Sequence, residues 1–389
     1  MEKVRRILSC DGGGIRGIIT LRCLEALESR VGPCQSFFQM FAGTSTGAVI
    51  AGALARGLSV KDLISLYTDR RFEIFSEQFL GCLHPVVTKF RKKPLHRILR
   101  ECLGDVTLAD LACDVFITAI DTVRAETTYF TSFQVPGNPN ARYGTYRKVR
   151  LRDAIEASVS TPTYFKAHGR FIDGGATVYN NPAYAAAVEA LRYSSDRQAN
   201  PPQSSCYDDA RVEVYSFGVG TQTNGMAPGE AERKCSLGWI KYVINESSNQ
   251  AGFEQSYVAR SELDIAEQAI AFYRYDVYLT QQTVRWAMPD STIDARTLEP
   301  DTAIDEERFR LLDEIGKKYG QQIFPSSFTA PSPPAQPVSY GARGAQQTGI
   351  ARKHGAAGEW NQFNKPPFNP QDYVNEVLAE FDEVDRRFD

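Results

Sequence analysis

The sequence predicts an α/β fold, three layers with a mainly parallel central sheet covered by helices on both faces. Three observations carry this. Short runs of β-branched and aromatic residues alternate with helical patterns from Arg6 to Phe217. Two of those runs pass through glycine-rich turns directly into helices. At 389 residues, with 42% hydrophobic and 23% charged residues, the chain holds enough apolar material for a large core. Strands interleaved with helices build parallel sheets, because a parallel crossover needs a helix's length of chain.

In chain order, Arg6-Ile7-Leu8-Ser9 is the first strand, followed by the turn Asp11–Gly17 and a helix from Gly17 to about Arg30. Phe37–Ala42 is the second strand, with a helix over Thr46–Arg56. Further strands fall at Asp114–Ile120, Thr128–Phe133 and Val212–Phe217, and Phe171-Ile172 ends another. Helical segments fill Trp239–Arg274. Phe309, Leu312, Ile315 and Tyr319 share one face of a helix over Asp305–Tyr319. Beyond the α/β unit, residues 1–324, a Pro/Gly-rich linker (325–370) leads to an acidic amphipathic helix (371–389). That helix could dock on a partner or a second copy of the chain, or fold back on its own domain.

A net charge of −3 argues against nucleic acid as substrate. Eight scattered cysteines without a C-x-x-C pair suit reduced thiols, and the short charged start before the first strand has no signal-peptide pattern, so a cytoplasmic protein is expected. Phe37–Leu58 is rich in Ala, Gly and Val, but Gly43–Gly47 interrupts it, so it reads as strand, turn and helix rather than a membrane span.

Gly43-Thr44-Ser45-Thr46-Gly47 matches the G-x-S-x-G nucleophile elbow, with a strand before it and a helix after. The glycines let the backbone turn sharply while Ser45 sits at a helix N-terminus, where free N–H groups stabilise developing negative charge. A serine nucleophile needs a base, and the four histidines, His84, His96, His168 and His354, are poorly placed. His354 lies in the Pro/Gly-rich stretch, and His168 sits five residues before Asp173 on one extended segment, facing the other way. A carboxylate can take the proton directly. Asp173, at a strand end before Gly174-Gly175, is the candidate; its plainer role is a tight Asp-Gly turn.

The loop Asp11-Gly12-Gly13-Gly14-Ile15-Arg16-Gly17 admits two readings. Gly12, Gly14 and Gly17 fit the dinucleotide fingerprint, but the second strand ends in Ala42-Gly43-Thr44-Ser45, without the acid that would hold a ribose. The alternative is an oxyanion hole formed by the N–H groups of Gly12, Gly13 and Gly14, with Arg16 adding positive charge or holding the loop.

Together, Asp11–Gly17, Gly43–Gly47 and Asp173–Gly175 resemble the patatin-like phospholipase family, in its order and without departure. Ser158-Val159-Ser160-Thr161-Pro162 and Asn180-Asn181-Pro182 share the likeness, which spans roughly residues 4–320. The resemblance implies a Ser45–Asp173 dyad, an oxyanion hole at Gly12–Gly14, and phospholipase A-type cleavage of membrane glycerolipids without metal or other cofactor. It also admits a regulated effector that attacks membranes, acting from the cytoplasm on the inner face. A catalytically idle sensor or scaffold on the same fold is the alternative. Peripheral membrane contact is expected, and Lys89–Arg100, basic with Phe90, Leu95, Ile98 and Leu99 interleaved, suits an anionic surface. Its plainer role is a helix with a buried apolar face and a solvated basic one.

Overall fold

The computed structural model describes residues 3–77, 88–132, 146–162, 164–194, 205–222, 226, 229–263, 270–300, 304–330 and 370–388. Its centre is one sheet of seven strands: β1 (Val4–Cys10), β2 (Met40–Gly43), β3 (Asp114–Asp121), β4 (Glu126–Thr131), β5 (Phe171–Asp173), β6 (Arg211–Phe217) and β7 (Ile270–Tyr275). The order is β4-β3-β2-β1-β6-β7, with β5 paired to β3. The pairs β1–β2, β1–β6, β2–β3 and β6–β7 are parallel, whereas β4 and β5 run antiparallel to β3. Alternate residues of the inner strands feed two separate cores. Leu8, Cys10, Phe41, Val115 and Ile117 face one, and Ile7, Met40, Ala42, Phe116 and Val214 face the other. Side chains alternate across a strand, so two cores mean helices on both faces. The expected mostly parallel α/β architecture is the observed one.

The sheet's register sets up the site. Along β3, one edge carries β4 from Phe116 to Asp121. The other edge carries β2 as far as Ile117 and then β5 from Ala119 onward. A strand has only two edges, so β5 fills the lane beyond the end of β2. The turn after Gly43 and the end of β5 therefore meet at Thr118.

Several expectations are revised. Helix is observed over Ser236–Leu263, but Ile270–Tyr275, expected within a helical region, is the edge strand β7. Phe37 closes a short helix, Cys34–Phe37, and the second strand starts only at Met40. The basic helix spans Lys92–Leu103, where Lys92, Leu95, Ile98 and Leu99 are buried along with Phe90. Its interleaved apolar residues thus serve the core and do not face a membrane. Among the described residues no helix is long and apolar enough to cross a membrane, and the described cysteines form no disulfide. Most of the Pro/Gly-rich stretch, 331–369, lies outside the described residues.

The terminal helix, Pro370–Phe388, folds back on its own chain. Val374, Val377 and Phe381 are buried, and the Phe381 ring lies 5.7 Å from Phe171 and 4.7 Å from His168. Asp385 grips the buried Arg152 guanidinium with two hydrogen bonds, 2.8 and 2.6 Å. Arg170 binds Glu380 and Glu376 in the same way across the outer face. An acidic helix packs against a basic surface of its own domain, so its apolar stripe is already occupied.

Candidate active site

Ser45 has φ 54° and ψ −125°, a conformation that side chains rarely adopt. The flanking glycines make it possible. A Cβ on Gly43 would lie 2.2 Å from the Gly47 carbonyl oxygen, and one on Gly47 would lie 2.1 Å from that of Cys10. Strain of this kind persists only where surrounding structure enforces it. Here the Ser45 N–H donates to Ser158 Oγ at 2.8 Å, and Thr44 Oγ1 lies 2.7 Å from Thr118 Oγ1. The helix Thr46–Arg56 starts immediately behind the half-buried serine.

Asp173 closes β5 opposite this bend. Ser45 Oγ donates to Asp173 Oδ2 at 2.7 Å. Thr161 Oγ1 donates to the same oxygen, and the Gly175 N–H donates to Oδ1 at 2.6 Å. The backbone is fixed as well, with the Asp173 N–H donating to the Ser160 carbonyl at 3.1 Å. Asp173 is a turn residue and a hydrogen-bond partner of Ser45 at once. Burial pushes its carboxyl above the usual range, against the three donors from Thr161, Ser45 and Gly175. A buried carboxylate of raised pKa beside a serine hydroxyl is a competent proton acceptor.

The glycine loop crosses directly against the serine, since a Cβ on Gly12 would lie 3.1 Å from Ser45 Cβ. Its three N–H groups differ in what they do. Gly12 donates to the Asn180 carbonyl at 3.1 Å, so this expected oxyanion donor is already engaged in holding the loop. Among the described residues, the N–H groups of Gly13 and Gly14 have no acceptor, and neither does that of Thr46 at the helix start. The residue after an elbow serine commonly contributes such a donor. Arg16 is buried and hydrogen-bonds Gln222 at 3.4 Å, with its guanidinium beside Gly13. It supports the loop from behind.

The other end of that loop is held by a residue that no motif marks. Arg274, on β7, binds both oxygens of Asp11 at 2.9 and 2.6 Å, and also Asp276 at 3.0 Å. Burial lifts the Asp11 carboxyl to about 6 even against Arg274. A bidentate arginine–carboxylate pair is among the strongest ways to fix a loop's direction.

Behind the dyad lies a buried charge cluster. Lys92 Nζ donates to Ser160 Oγ and to the Lys166 carbonyl, both at 2.9 Å, and sits 3.6 Å from Glu156. Glu156 also meets His96 at 2.8 Å and His168 at 3.3 Å, while His168 lies 3.4 Å from Asp153. Burial opposes ionisation of Glu156, but the charges of His168 and Lys92 hold it well below the carboxylate range. Burial brings Lys92 down to about 8. His168 thus belongs to this cluster and not to a triad with Ser45. His84 and His354 lie outside the described residues. The cluster reaches the dyad through the segment Ser158–Thr161, which contacts both Ser45 and Asp173.

The family model described as patatin-like phospholipase matches residues 8–187, which include Ser45, the glycine loop and Asp173. The chain is 30% identical to a cGAMP-activated phospholipase of Escherichia coli over 56% of its own length and 62% of that protein's. It is 28% identical to a protein of the same name from Vibrio cholerae, over 59% of its length and 68% of the relative's. Patatin-like protein 2 of Oryza sativa subsp. indica is 30% identical over 64% of this chain and 68% of its own. On this likeness the chain belongs to the patatin-like phospholipase family.

Proposed function

We propose that the protein is a lipid acyl hydrolase of the phospholipase A type, working through a Ser45–Asp173 dyad. The observation that carries this is the 2.7 Å hydrogen bond between a serine on a strained elbow and a buried aspartate with raised pKa. Asp173 takes the Ser45 proton as Oγ attacks the ester carbonyl, and the new oxyanion is received by the N–H groups of Gly13, Gly14 and Thr46. Collapse expels the lysolipid alcohol, protonated by Asp173, and leaves an acyl-serine. Asp173 then activates water, which releases the fatty acid and restores the hydroxyl. Losing a single oxyanion donor typically costs roughly a hundred- to a thousandfold in turnover.

No metal or other cofactor enters this scheme. Two relatives are named for activation by cGAMP, and a regulated, membrane-attacking effector is the corresponding role here. Action from the cytoplasm on the inner face of a membrane belongs to the same proposal, and cell fractionation tests it. A fluorophosphonate probe tests the chemistry: wild type should label and release fatty acid from phospholipid vesicles, and Ser45→Ala should do neither. An idle scaffold would label in neither form, and that result would end the proposal.

A further inference from the structure

The helix Ser236–Leu263 is amphipathic in the wrong sense for a helix whose apolar face is finished. At 100° per residue, Trp239, Val243, Gln250, Phe253 and Tyr257 fall within about 40° of one meridian, a stripe about 27 Å long in which Gln250 donates to Glu246 at 2.7 Å between the two apolar pairs. All five are exposed, Tyr257 by 71%. On the opposite side Gln255 and Ala259 are buried. Tyr278, also exposed, stacks on Phe253 with ring centroids 6.4 Å apart and extends the stripe sideways. Among the described residues eight large hydrophobic side chains are exposed, and five of them lie on this one surface. An apolar patch so concentrated needs a covering phase or partner.

The inner side of the same helix reaches the site. Asn181, next to the residue that anchors the Gly12 N–H, donates to the Gly252 carbonyl at 3.3 Å and to Ser256 Oγ at 3.2 Å. The helix also packs against the two short turns that follow Asp173, Gly174–Ala176 and Val178–Asn180. Phe253 and Tyr257 follow Gly252 and Ser256 in the chain and lie on the solvent side of this helix, away from these contacts. The surface carries Trp239, Tyr257 and Tyr278, residues whose apolar body and polar tip suit the boundary between acyl chains and headgroups.

We propose that this helix face, with Tyr278, is the surface by which the protein seats on a phospholipid bilayer, delivering lipid to Ser45. This rests on the lipid-hydrolase reading of the site. It replaces the basic helix Lys92–Leu103, whose apolar residues lie in the core. The test is the full-length double variant Phe253→Ser/Tyr257→Ser beside wild type, in three measurements. Co-sedimentation with vesicles of phosphatidylglycerol and phosphatidylcholine should fall by roughly tenfold or more, because two aromatic contacts are lost. Hydrolysis of vesicle phospholipid should fall in parallel, whereas turnover of a water-soluble short-chain ester should stay at the wild-type rate. Vesicle binding equal to wild type overturns the proposal. So does unchanged vesicle binding with a change in oligomeric state by light scattering, which would assign the stripe to a second copy of the chain. Wild type that sediments with vesicles but cleaves no ester would sink the hydrolase reading while leaving the surface standing.

Discussion

Replacing Thr161 by valine isolates how the site tunes its base. Asp173 is buried, and its ionised form rests on three donors: the hydroxyls of Thr161 and Ser45 and the N–H of Gly175. A base must be ionised to accept a proton, so kcat/KM should be lost as pH falls through the Asp173 pKa. Burial has already raised that pKa, and removing a donor from the charged form raises it again. The acid limb must therefore move to higher pH. A hydrogen bond to a charged group is worth about 1.5–3 kcal/mol, and one pH unit corresponds to about 1.4 kcal/mol. Solvent reaching the vacated oxygen recovers part of this, so the limb should move up by about one pH unit. Well above the limb, where Asp173 is ionised in both proteins, rates should agree within about threefold, because the Ser45–Asp173 contact remains. The assay is kcat/KM on a soluble short-chain ester across the acid and neutral range. A limb that stays put or moves downward would refute both the base assignment and the role given to Thr161.

The buried anchors yield further outcomes. Arg274→Met leaves Asp11 as an uncompensated buried carboxylate, which typically costs about 3–5 kcal/mol; the melting temperature should drop by several degrees and kcat should fall as the glycine loop loses its set. Adding Asp11→Asn should recover part of the stability but not the full rate, read by thermal unfolding and ester turnover. Phe381→Ala empties a fully buried site between Phe130, Phe171 and His168 and should cost about 3–5 kcal/mol; denaturant unfolding would detect it, and an unchanged midpoint would contradict the docked terminal helix. Lys92→Met removes the donor to Ser160 and should lower kcat more than it raises KM, with Lys92→Arg restoring part. With Lys92 near 8, wild type should lose activity as the ammonium deprotonates above that pH, and this basic limb should be absent in Lys92→Met.

What could be read from the sequence is what steric exclusion leaves in it. Gly43 and Gly47 are glycines because a Cβ would strike backbone, and Gly174 because a Cβ would lie 2.3 Å from Thr118 Oγ1. Such constraints are local, so the elbow and the D-G-G turn stand out in one dimension. What the sequence hides is long-range. Arg274 reaches Asp11 across 263 positions, and nothing beside it marks the pairing. Its strand follows Asp264-Ile265-Ala266-Glu267-Gln268-Ala269, a run without glycine or proline, so the strand's β-branched and aromatic character is masked by what precedes it. Three consecutive glycine N–H groups look equivalent on paper, and only the Asn180 carbonyl separates Gly12 from Gly13 and Gly14. Lys92 sits in a run of basic residues and reads as solvated, although Lys92, Leu95, His96 and Leu99 follow the i, i+3, i+4, i+7 spacing of a buried helix face. Helical phase therefore outranks charge as a guide to burial when a lysine keeps step with an apolar stripe. An ammonium buried in that way needs acceptors of its own, and here it finds them in Ser160, the Lys166 carbonyl and Glu156, one shell from the dyad. The cost of hiding that charge is offset by fixing the segment that touches both Ser45 and Asp173.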